Sequence, residues 1–543
     1  MAGQIKAGAR MPDNLPPHDP ITGLTADISA AIGADRVSLS PERRALFSQD
    51  IWSKAPHPVD IVVTPTDTQS LAHAVRLAAA AGLAVLPRGG GMSYTGGYVG
   101  AAPPALLIDM SAMDRVLSID PDNMRVTVEA GCTWKALHAA LSPLGLRTPF
   151  WGPLSGISST VGGGLSQQNA FFGAGLYGTT SESIIGLRVV LSDGTMLTTG
   201  ARRPQDGNPF YRFYGPDLTG LFCGDCGALG IKAEITLRLM PLPAHEGYLS
   251  FSFGERDQCL AALADVVRSG IAAETCAFDP ALARVRMKRA SMLSDVKALG
   301  NVIAKQKSIM GGVREAARIA LAGRSFIPDE CWSLHLTVEG RSAAAVEADL
   351  TALRAIGRRH QGAEVENTIP KVLRAQPFTP LNNVLGPAGE RWVPVHGIVA
   401  PGDAIAAQAA VEEALATMAV ELTDACVTIG YMLTSMSTNS FLIEPVFFWP
   451  EAREALHEAT VEPGILSRLP LQAPNPTVTA LVARARKAVV TALQPFGAAH
   501  FQVGRTYPLS QDSDPAAFAL LRAIKASIDP DHRINPGVLG LQD

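Results

Sequence analysis

The fold of this chain is decided by Pro87-Arg88-Gly89-Gly90-Gly91-Met92-Ser93-Tyr94-Thr95-Gly96-Gly97. Its five glycines follow directly on the apolar run Leu83–Leu86, so a strand predicted there opens into a loop with few Cβ atoms. Such a loop lets the backbone approach a bulky ligand, and its amides can form an anion-binding nest for a pyrophosphate. Two further clusters of glycine and hydroxyl residues follow at 156–164 and 173–183. Together the three segments predict one extended dinucleotide site.

These segments carry a family resemblance. Pro87–Gly97, Gly162–Ser183 and Asp217-Leu218-Thr219-Gly220-Leu221-Phe222 resemble the FAD-binding domain of the vanillyl-alcohol oxidase / p-cresol methylhydroxylase superfamily. The last motif is similar to the D-lactate dehydrogenase and glycolate oxidase branch. Ile534-Asn535-Pro536-Gly537 resembles the closing flavin-contacting segment of the family. The glycine pattern does not fit a Rossmann fingerprint, which needs a βαβ setting and a downstream acidic residue.

The resemblance implies an α+β fold, in which a two-part FAD-binding domain carries an α+β cap domain over the substrate. It covers roughly residues 50–543, and the length of the chain agrees with several domains. The predicted parts are an N-terminal leader and helical preface (1–54), the FAD-binding domain (55–243), the cap domain (244–474) and a C-terminal helical segment that returns to the FAD domain (475–543).

Periodicity predicts the main elements. Thr68–Ala81 has a helical apolar face, and Asp193-Gly194 is a hairpin signal. In the cap, residues 256–325 have helical periodicity, while Trp392–Val399 and Phe441–Trp449 each predict one strand. This alternation of strands and helices is typical of a sheet covered by helices.

The resemblance implies that FAD is bound by the glycine loops and the C-terminal segment. The predicted cofactor-binding residues are Pro87, Arg88, Gly89, Gly90, Gly91, Met92, Ser93, Thr95, Gly96, Pro153, Gly156, Ser159, Thr160, Gly162, Gly163, Gln168, Asn169, Gly178, Ile184, Gly230, Ile231 and Asn535. Relatives often attach the flavin covalently through a histidine in the first loop. Met92 stands at that position and cannot form the bond, so we predict non-covalent FAD.

A flavoenzyme that oxidises an alcohol also needs a proton acceptor and a group that holds an anionic substrate. Arg505, flanked by His500 and Tyr507, predicts a clamp for a carboxylate or a phenolate. The vanillyl-alcohol branch has a Tyr-Arg-Thr run here, and Arg505-Thr506 matches two of its three positions. The structural alternative is that Arg505 pairs with Asp512.

Two cap residues are further catalytic candidates. His396 lies in an apolar strand, where it is either catalytic or a structural histidine. Glu444 interrupts the apolar run 441–449, and a buried carboxylate is costly unless it is paired. A pairing of Glu444 with Arg505 would serve structure and function alike.

The sequence predicts no metal. The metal-dependent D-2-hydroxy acid dehydrogenases usually show Glu-His-Gly where this chain has Gln502-Val503-Gly504. Cys223-x-x-Cys226 lacks a second cysteine pair or a nearby histidine, so buried packing is the better interpretation.

Composition limits the compartment and the partners. The net charge is −4 and there is no dense basic run, which argues against nucleic-acid binding. No long uncharged apolar run predicts a membrane span. Met1–Pro20 lacks the apolar core of a secretory signal and is predicted to be a disordered leader. The seven scattered cysteines favour a reducing, cytoplasmic compartment.

The predicted function is that of an FAD-dependent oxidoreductase acting on CH–OH groups. Asp217–Phe222 favours a D-2-hydroxy acid, whereas Arg505-Thr506 and the aromatic run Phe447-Phe448-Trp449 favour a para-substituted phenol or benzylic alcohol. A non-catalytic flavin-binding subunit is an alternative of another class. The sequence leaves open whether oxygen, a quinone or a cytochrome takes the electrons, and whether the chain is a homodimer.

Overall fold

The first sheet forms around the helix and the strand that the sequence predicts ahead of the glycine loop. The computed structural model describes residues 20–100, 103–292, 328 and 330–541, so most of the predicted leader and the end of the helical segment 256–325 lie outside it. The strands are β1 (Val37–Ser38), β2 (Ile61–Val63), β3 (Ala84–Arg88) and β4 (Ala105–Asp109). Their order is β1-β2-β4-β3, with β1 antiparallel and the others parallel.

Five of the seven described helices of this half begin after a residue whose side chain caps the first turn. They are α1 (Pro20–Ile32), α2 (Pro41–Phe47), α3 (Thr68–Ala80), α4 (Trp134–Leu141), α5 (Val161–Gln167), α6 (Ala174–Tyr177) and α7 (Leu218–Leu221). In α3, Asp67 and Ser70 form a capping box, because each side chain accepts the backbone N–H of the other. Leu71, Val75 and Ala78 are buried, as their helical spacing predicts.

A second sheet completes the FAD half. The strands that follow are β5 (Val116–Asp120), β6 (Arg125–Glu129), β7 (Leu146–Arg147), β8 (Ile184–Val190), β9 (Met196–Thr198), β10 (Ala201–Arg202), β11 (Pro209–Tyr211), β12 (Ile231–Arg238) and β13 (Met240–Pro241). Five of them form an antiparallel sheet of order β5-β6-β12-β8-β9. The predicted Asp193-Gly194 hairpin joins β8 to β9, with Gly194 at a φ of 83°.

The cap is built on one antiparallel sheet. Its strands are β14 (His245–Phe253), β15 (Ala272–Phe278), β16 (Trp332–Gly340), β17 (Ala363–Val365), β18 (Arg391–Pro394), β19 (Gly397–Val399), β20 (Thr428–Met436) and β21 (Ser440–Trp449). The order is β17-β14-β16-β15-β20-β21-β18, and β19 also pairs with β21. Since β16 lies between β14 and β15, the helix that joins these two strands makes a split βαβ unit.

One strand prediction is wrong in detail. The run Trp392–Val399 forms two strands, β18 and β19, rather than one. The partner strand has Pro445 opposite the break, and proline has no N–H to donate to the ladder. Val395 opposite it donates to Pro445 O at 3.0 Å but receives no N–H in return, and the next N–H, that of His396, donates to the hydroxyl of Tyr507 at 2.9 Å.

Helices cover the cap sheet and lead back to the FAD half. They are α8 (Arg256–Ser269), α9 (Pro280–Met292), α10 (Ala343–Arg359), α11 (Thr368–Ala375), α12 (Ala404–Ala416), α13 (Ala419–Asp424), α14 (Ala455–Thr460), α15 (Pro463–Leu466), α16 (Pro476–Leu493), α17 (Leu509–Asp512) and α18 (Pro515–Ile528). Within the described ranges, no helix combines the length and the apolar character needed to cross a bilayer. After α18 the chain bonds to β3: Val85 donates to Arg533 O, and Asn535 donates to Val85 O.

A buried ion network holds the cap against the FAD half. Glu339 on β16 pairs with both Arg147 on β7 and Arg374 on α11. Arg374 also pairs with Glu274 at 3.1 Å, and the other oxygen of Glu274 accepts the N–H of Gly173 at 2.8 Å. Because these groups are buried and connected, removing one would leave a buried charge unpaired. The network therefore holds the cap sheet in a fixed position relative to the FAD half.

Candidate functional site

A cavity of about 1420 Å³ lies between the glycine loops and the cap. One wall is the backbone at residues 87–94 and 159–164, and the other comes from α9, α11, β20 and β21. Drug-sized ligands occupy pockets of about 300–1,000 Å³. The cavity therefore has room for a dinucleotide with a substrate beside it.

The first glycine loop presents free amides to this cavity. It follows β3, and Gly91 turns the chain with a φ of 71°, which glycine adopts without strain. Gly90 has no such angle, but a Cβ there would overlap the carbonyl oxygen of Ser158. The N–H groups of Gly90, Gly91 and Met92 donate to no acceptor in the described part of the chain. They fit the predicted nest for a pyrophosphate.

The second glycine segment lines the cavity beside the first loop. The hydroxyl of Thr160 accepts the N–H of Gly163 at 3.1 Å and so begins α5. Beyond that helix, the Oδ1 of Asn169 accepts the hydroxyl of Thr180. The Nδ2 of Asn169 is buried and has no partner among the described residues. Since Asn169 lines the cavity, this amide is available to an oxygen of a bound cofactor.

The structure places most predicted cofactor-binding residues on the cavity wall. Those that line it are Pro87, Arg88, Gly89, Gly90, Gly91, Met92, Ser93, Pro153, Ser159, Thr160, Gly162, Gly163, Asn169, Gly230 and Ile231. Those that do not line it are Thr95, Gly96, Gly156, Gln168, Gly178, Ile184 and Asn535.

The side chains of Asn535 and Arg505 hydrogen-bond to backbone carbonyl groups at the end of the first loop and in neighbouring segments. The Nδ2 of Asn535 donates to the carbonyl oxygens of Gly97 (2.6 Å) and Cys226 (2.8 Å). The guanidinium of Arg505 donates to the carbonyl oxygens of Gly96 and Pro536, both at 2.6 Å. Neither side chain lines the cavity. The structure thus places Arg505 where it holds backbone rather than a substrate.

Two pairings expected for Arg505 do not occur. Its guanidinium forms no ion pair with Glu444 or with Asp512, since its donors go to the carbonyls and to Asn535. Asp512 accepts instead from the side chain of Gln494, at 3.0 Å. The pairing of Glu444 with Arg505 is therefore corrected: no ion pair joins the two residues, and of the two only Glu444 lines the cavity.

His396, His500 and Tyr507 form a buried cluster next to the cavity. The Nε2–H of His396 donates to Phe501 O at 2.8 Å, and the hydroxyl of Tyr507 lies 3.1 Å from His396 Nδ1. The Nδ1–H of His500 donates to His396 O at 2.7 Å. Burial lowers the pKa of both imidazoles. None of the three residues lines the cavity, so the structural interpretation of His396 fits these contacts.

Glu444 is the predicted catalytic residue that does line the cavity. It lies on β21 opposite Met432 of β20, and it is only 6% exposed. Burial raises the pKa of its carboxyl group to about 7, and the charge of Arg286 opposes this shift. A carboxyl group with a pKa near neutrality can exchange a proton at physiological pH.

The sequence analysis missed the cation that faces Glu444. Arg286 of α9 lines the cavity, with its guanidinium carbon 4.3 Å from the centre of the Phe278 ring. Its polar neighbour among the described residues is the sulfur of Met432, at 3.8 Å. Burial lowers the pKa of Arg286. The only sequence signal was one arginine among many in a helical segment, which does not distinguish it from a solvated one.

Tyr94 and Gln502 were not predicted as site residues, although Tyr94 lies in the first glycine loop and Gln502 in the C-terminal run Gln502-Val503-Gly504. Both line the cavity, and the Nε2 of Gln502 donates to the Tyr94 hydroxyl at 3.1 Å. The Tyr94 ring packs edge-on against Trp392 of the cap. Burial raises the pKa of Tyr94 well above its usual value, so its hydroxyl stays protonated. Through these contacts Tyr94 joins the first loop to the cap, at Trp392, and to the C-terminal segment, at Gln502.

The residues present fit FAD. Unpaired amides in the first loop and the free Asn169 amide suit phosphate and carbonyl oxygens, and Gly90 leaves the loops in close contact. Within the described residues, no group of three or more His, Cys, Asp and Glu side chains could hold a metal ion.

Comparison with known proteins agrees with this site. Residues 59–200 match the FAD binding domain family, and residues 505–539 match the C-terminal domain of FAD linked oxidases. The chain is 28% identical over 259 residues to glycolate oxidase subunit GlcD of Bacillus subtilis, covering 47% of this chain and 53% of that protein. It is 28% identical over 251 residues to probable mitochondrial D-lactate dehydrogenase of Danio rerio, covering 46% and 48%. It thus spans about half the length of these curated relatives.

The fold as a whole has solved counterparts. The crystal structure of p-cresol methylhydroxylase with substrate bound superposes with a TM-score of 0.69 at 16% identity, covering 96% of this chain and 97% of that one. At this identity the likeness concerns the fold alone. The predicted α+β architecture and the predicted family resemblance are confirmed. The chain therefore carries an FAD binding domain and a segment that matches the C-terminal domain of FAD linked oxidases, and its cofactor is FAD.

Proposed function

We propose that this chain is an FAD-dependent oxidoreductase that oxidises the CH–OH group of a D-2-hydroxy acid. The observation that carries the proposal is the position of Glu444. A buried carboxyl group with a pKa of about 7 lines the same cavity as the FAD loops. Perturbed carboxyl groups in cavities mark functional sites more often than surface carboxyl groups do.

The proposed chemistry divides the two protons and two electrons of the alcohol. FAD, when bound, supplies the acceptor for the hydride from the carbinol carbon. Glu444, in its ionised form, takes the hydroxyl proton, so that the hydroxy acid leaves as a 2-oxo acid. Arg286 balances the charge of the substrate, and the hydrogen-bonded pair of Tyr94 and Gln502 supports the wall beside the loop.

The names of the relatives support this substrate class. Glycolate and D-lactate, after which two relatives are named, are both 2-hydroxy acids. A para-substituted phenol is the second candidate, because Trp392 and Phe448 place aromatic rings on the cavity wall. Phe447 and Trp449, the other rings of that run, do not line it. The retained Glu444 and Arg286 count against a non-catalytic flavin-binding subunit.

We also propose that the FAD is held without a covalent bond, because Met92 on the cavity wall is a residue that cannot form one. A cytoplasmic location is proposed from the free state of all seven cysteines. Measurements on the same purified protein would identify whether oxygen, a quinone or a cytochrome accepts the electrons. They would also show whether the chain forms a homodimer.

The test is a screen of D- and L-2-hydroxy acids and benzylic alcohols, read by flavin bleaching without oxygen. We expect bleaching by at least one D-2-hydroxy acid and none by its L-enantiomer. Bleaching by benzylic alcohols alone would select the second candidate. A flavin that no alcohol bleaches would refute the proposed oxidation.

A further inference from the structure

We propose that Arg286 and the apolar chamber around it bind the carboxylate of an acid that carries a bulky aryl or alkyl group, rather than an acid as small as glycolate or lactate. The inference deepens the proposed function and rests on it for the reaction. The binding itself can be measured without turnover.

Arg286, which is half-buried on the cavity wall, differs from the arginines buried elsewhere in having no oxygen acceptor among the described residues. Arg147 and Arg374 pair with carboxylates, and Arg391, Arg486 and Arg505 donate to backbone carbonyls. Arg286, in contrast, meets only an aromatic ring and the sulfur of Met432 in the described part of the chain. A guanidinium removed from water normally takes a carboxylate or phosphate partner. The missing partner can come from the substrate.

The neighbours of Arg286 hold it in place. The ring of Phe278 lies under the guanidinium, an arrangement that orients the planar fork without using its N–H donors. Those donors are left for a ligand. Met432 touches the guanidinium and is paired with Glu444 across β20 and β21. The cation and the proposed base therefore flank one residue.

Arg286 and Glu444 attract each other, yet no ion pair joins them. A ligand can lie between the two groups with its carboxylate on the arginine and its hydroxyl on the glutamate. A 2-hydroxy acid carries these two groups on adjacent carbons. The geometry of the pair therefore suits the head of such an acid.

The space around this head is apolar. α9, α11 and β21 contribute the side chains Leu282, Val285, Ile369, Leu373, Val446 and Phe448 to the cavity wall. Glycolate has no apolar side chain, and lactate has only a methyl group, so neither could cover this surface. Each further methylene buried there should tighten binding by about fourfold.

The test uses acids that cannot be oxidised, so that only binding is measured. Calorimetric titration of the FAD-loaded protein would compare propionate, octanoate and 3-phenylpropionate, together with the neutral 3-phenylpropionamide. We expect octanoate and 3-phenylpropionate to bind at least about tenfold more tightly than propionate, and 3-phenylpropionate about tenfold more tightly than its amide.

The variant Arg286→Met should abolish the preference for the acid over the amide. Arg284→Met is the matched control, because Arg284 lies on the same helix, is 54% exposed and pairs with Glu330. The control should keep the preference. Arg468 also lines the cavity, but it is exposed at the rim. Loss of the preference in Arg468→Met, with Arg286→Met unchanged, would overturn the assignment.

Two results from the wild-type protein would also refute the inference, independently of how any variant folds. One is equal binding of propionate and octanoate, and the other is equal binding of the acid and its amide. These outcomes leave the proposed oxidation standing if a hydroxy acid still bleaches the flavin. Conversely, selective binding of large acids without any bleaching would count against the oxidation only.

Discussion

Replacing Glu444 by glutamine should weaken catalysis while making the folded protein more stable at alkaline pH. The carboxyl group has a pKa of about 7 in the folded chain, against an ordinary value of 4.5, and burial is the main cause. The folded state therefore prefers the protonated form. The free energy of unfolding falls as the pH rises from about 4.5 to about 7, and it stays reduced above that range.

The size of the effect follows from the shift in pKa. A change from 4.5 to about 7 costs the wild-type protein roughly 3 kcal/mol at pH 8, and almost nothing below pH 4.5. Glutamine has nearly the same shape and does not ionise. Glu444→Gln should recover up to that amount at pH 8, and the gain should disappear at pH 4.5.

The assay is urea unfolding at both pH values, followed by tryptophan fluorescence. Glu421→Gln serves as the control, since the side chain of Glu421 is 57% exposed and forms a surface pair with Arg484. We expect the control to change stability little at either pH. A Glu444→Gln protein that is less stable at pH 8, or equally shifted at both pH values, would refute the reasoning.

Catalysis should respond in the opposite direction. Losing a general base typically slows a reaction by about 10²–10⁴-fold. We expect a loss of this order in the rate of anaerobic flavin reduction for Glu444→Gln at pH 8. The wild-type rate should rise with pH and level off above pH 7, because the ionised form is the base. Rapid, pH-independent reduction in the variant would exclude Glu444 as the proton acceptor.

Three further outcomes are expected. Arg505→Met should lower the melting temperature and the FAD content, because the variant loses the hydrogen bonds to the carbonyl oxygens of Gly96 and Pro536. The surface control Arg484→Met should change neither quantity. An Arg505→Met protein with full flavin but impaired reduction by substrate would restore the hypothesis that Arg505 clamps the substrate. Gly90→Val should purify with little FAD, because its side chain would collide with a neighbouring backbone carbonyl, while Gly464→Val has open space and should keep its flavin. Acid precipitation should leave a yellow supernatant, since Met92 cannot bond to the flavin, and a yellow pellet would contradict this.

Local sequence determined the elements around the cofactor. The capping pair and apolar spacing of α3 act within a few residues, so the predicted helix Thr68–Ala81 differs from the observed one by a single residue. The glycines after β3 likewise predicted a loop with unpaired amides. In such cases the forces that fix the structure lie between near neighbours in the chain, where a sequence pattern records them.

The cap was harder to predict from the same kind of pattern. The apolar run Trp392–Val399 predicts one strand, but Pro445 on a separate strand interrupts its ladder. A hydrogen bond across a sheet depends on which strand becomes the neighbour. That choice is made by packing of the whole cap, not by the run itself.

The roles of the charged residues were decided by tertiary structure alone. Arg505 stands in a family motif, yet its donors are taken by carbonyls, one of them 409 positions away in the chain. Arg286 carries no motif, yet folding places it on the same cavity as Glu444, with no oxygen partner in the part of the chain that the structure describes. A guanidinium has the same chemistry at every position in a sequence. Only the fold determines which acceptors reach it and which donors remain free for a substrate.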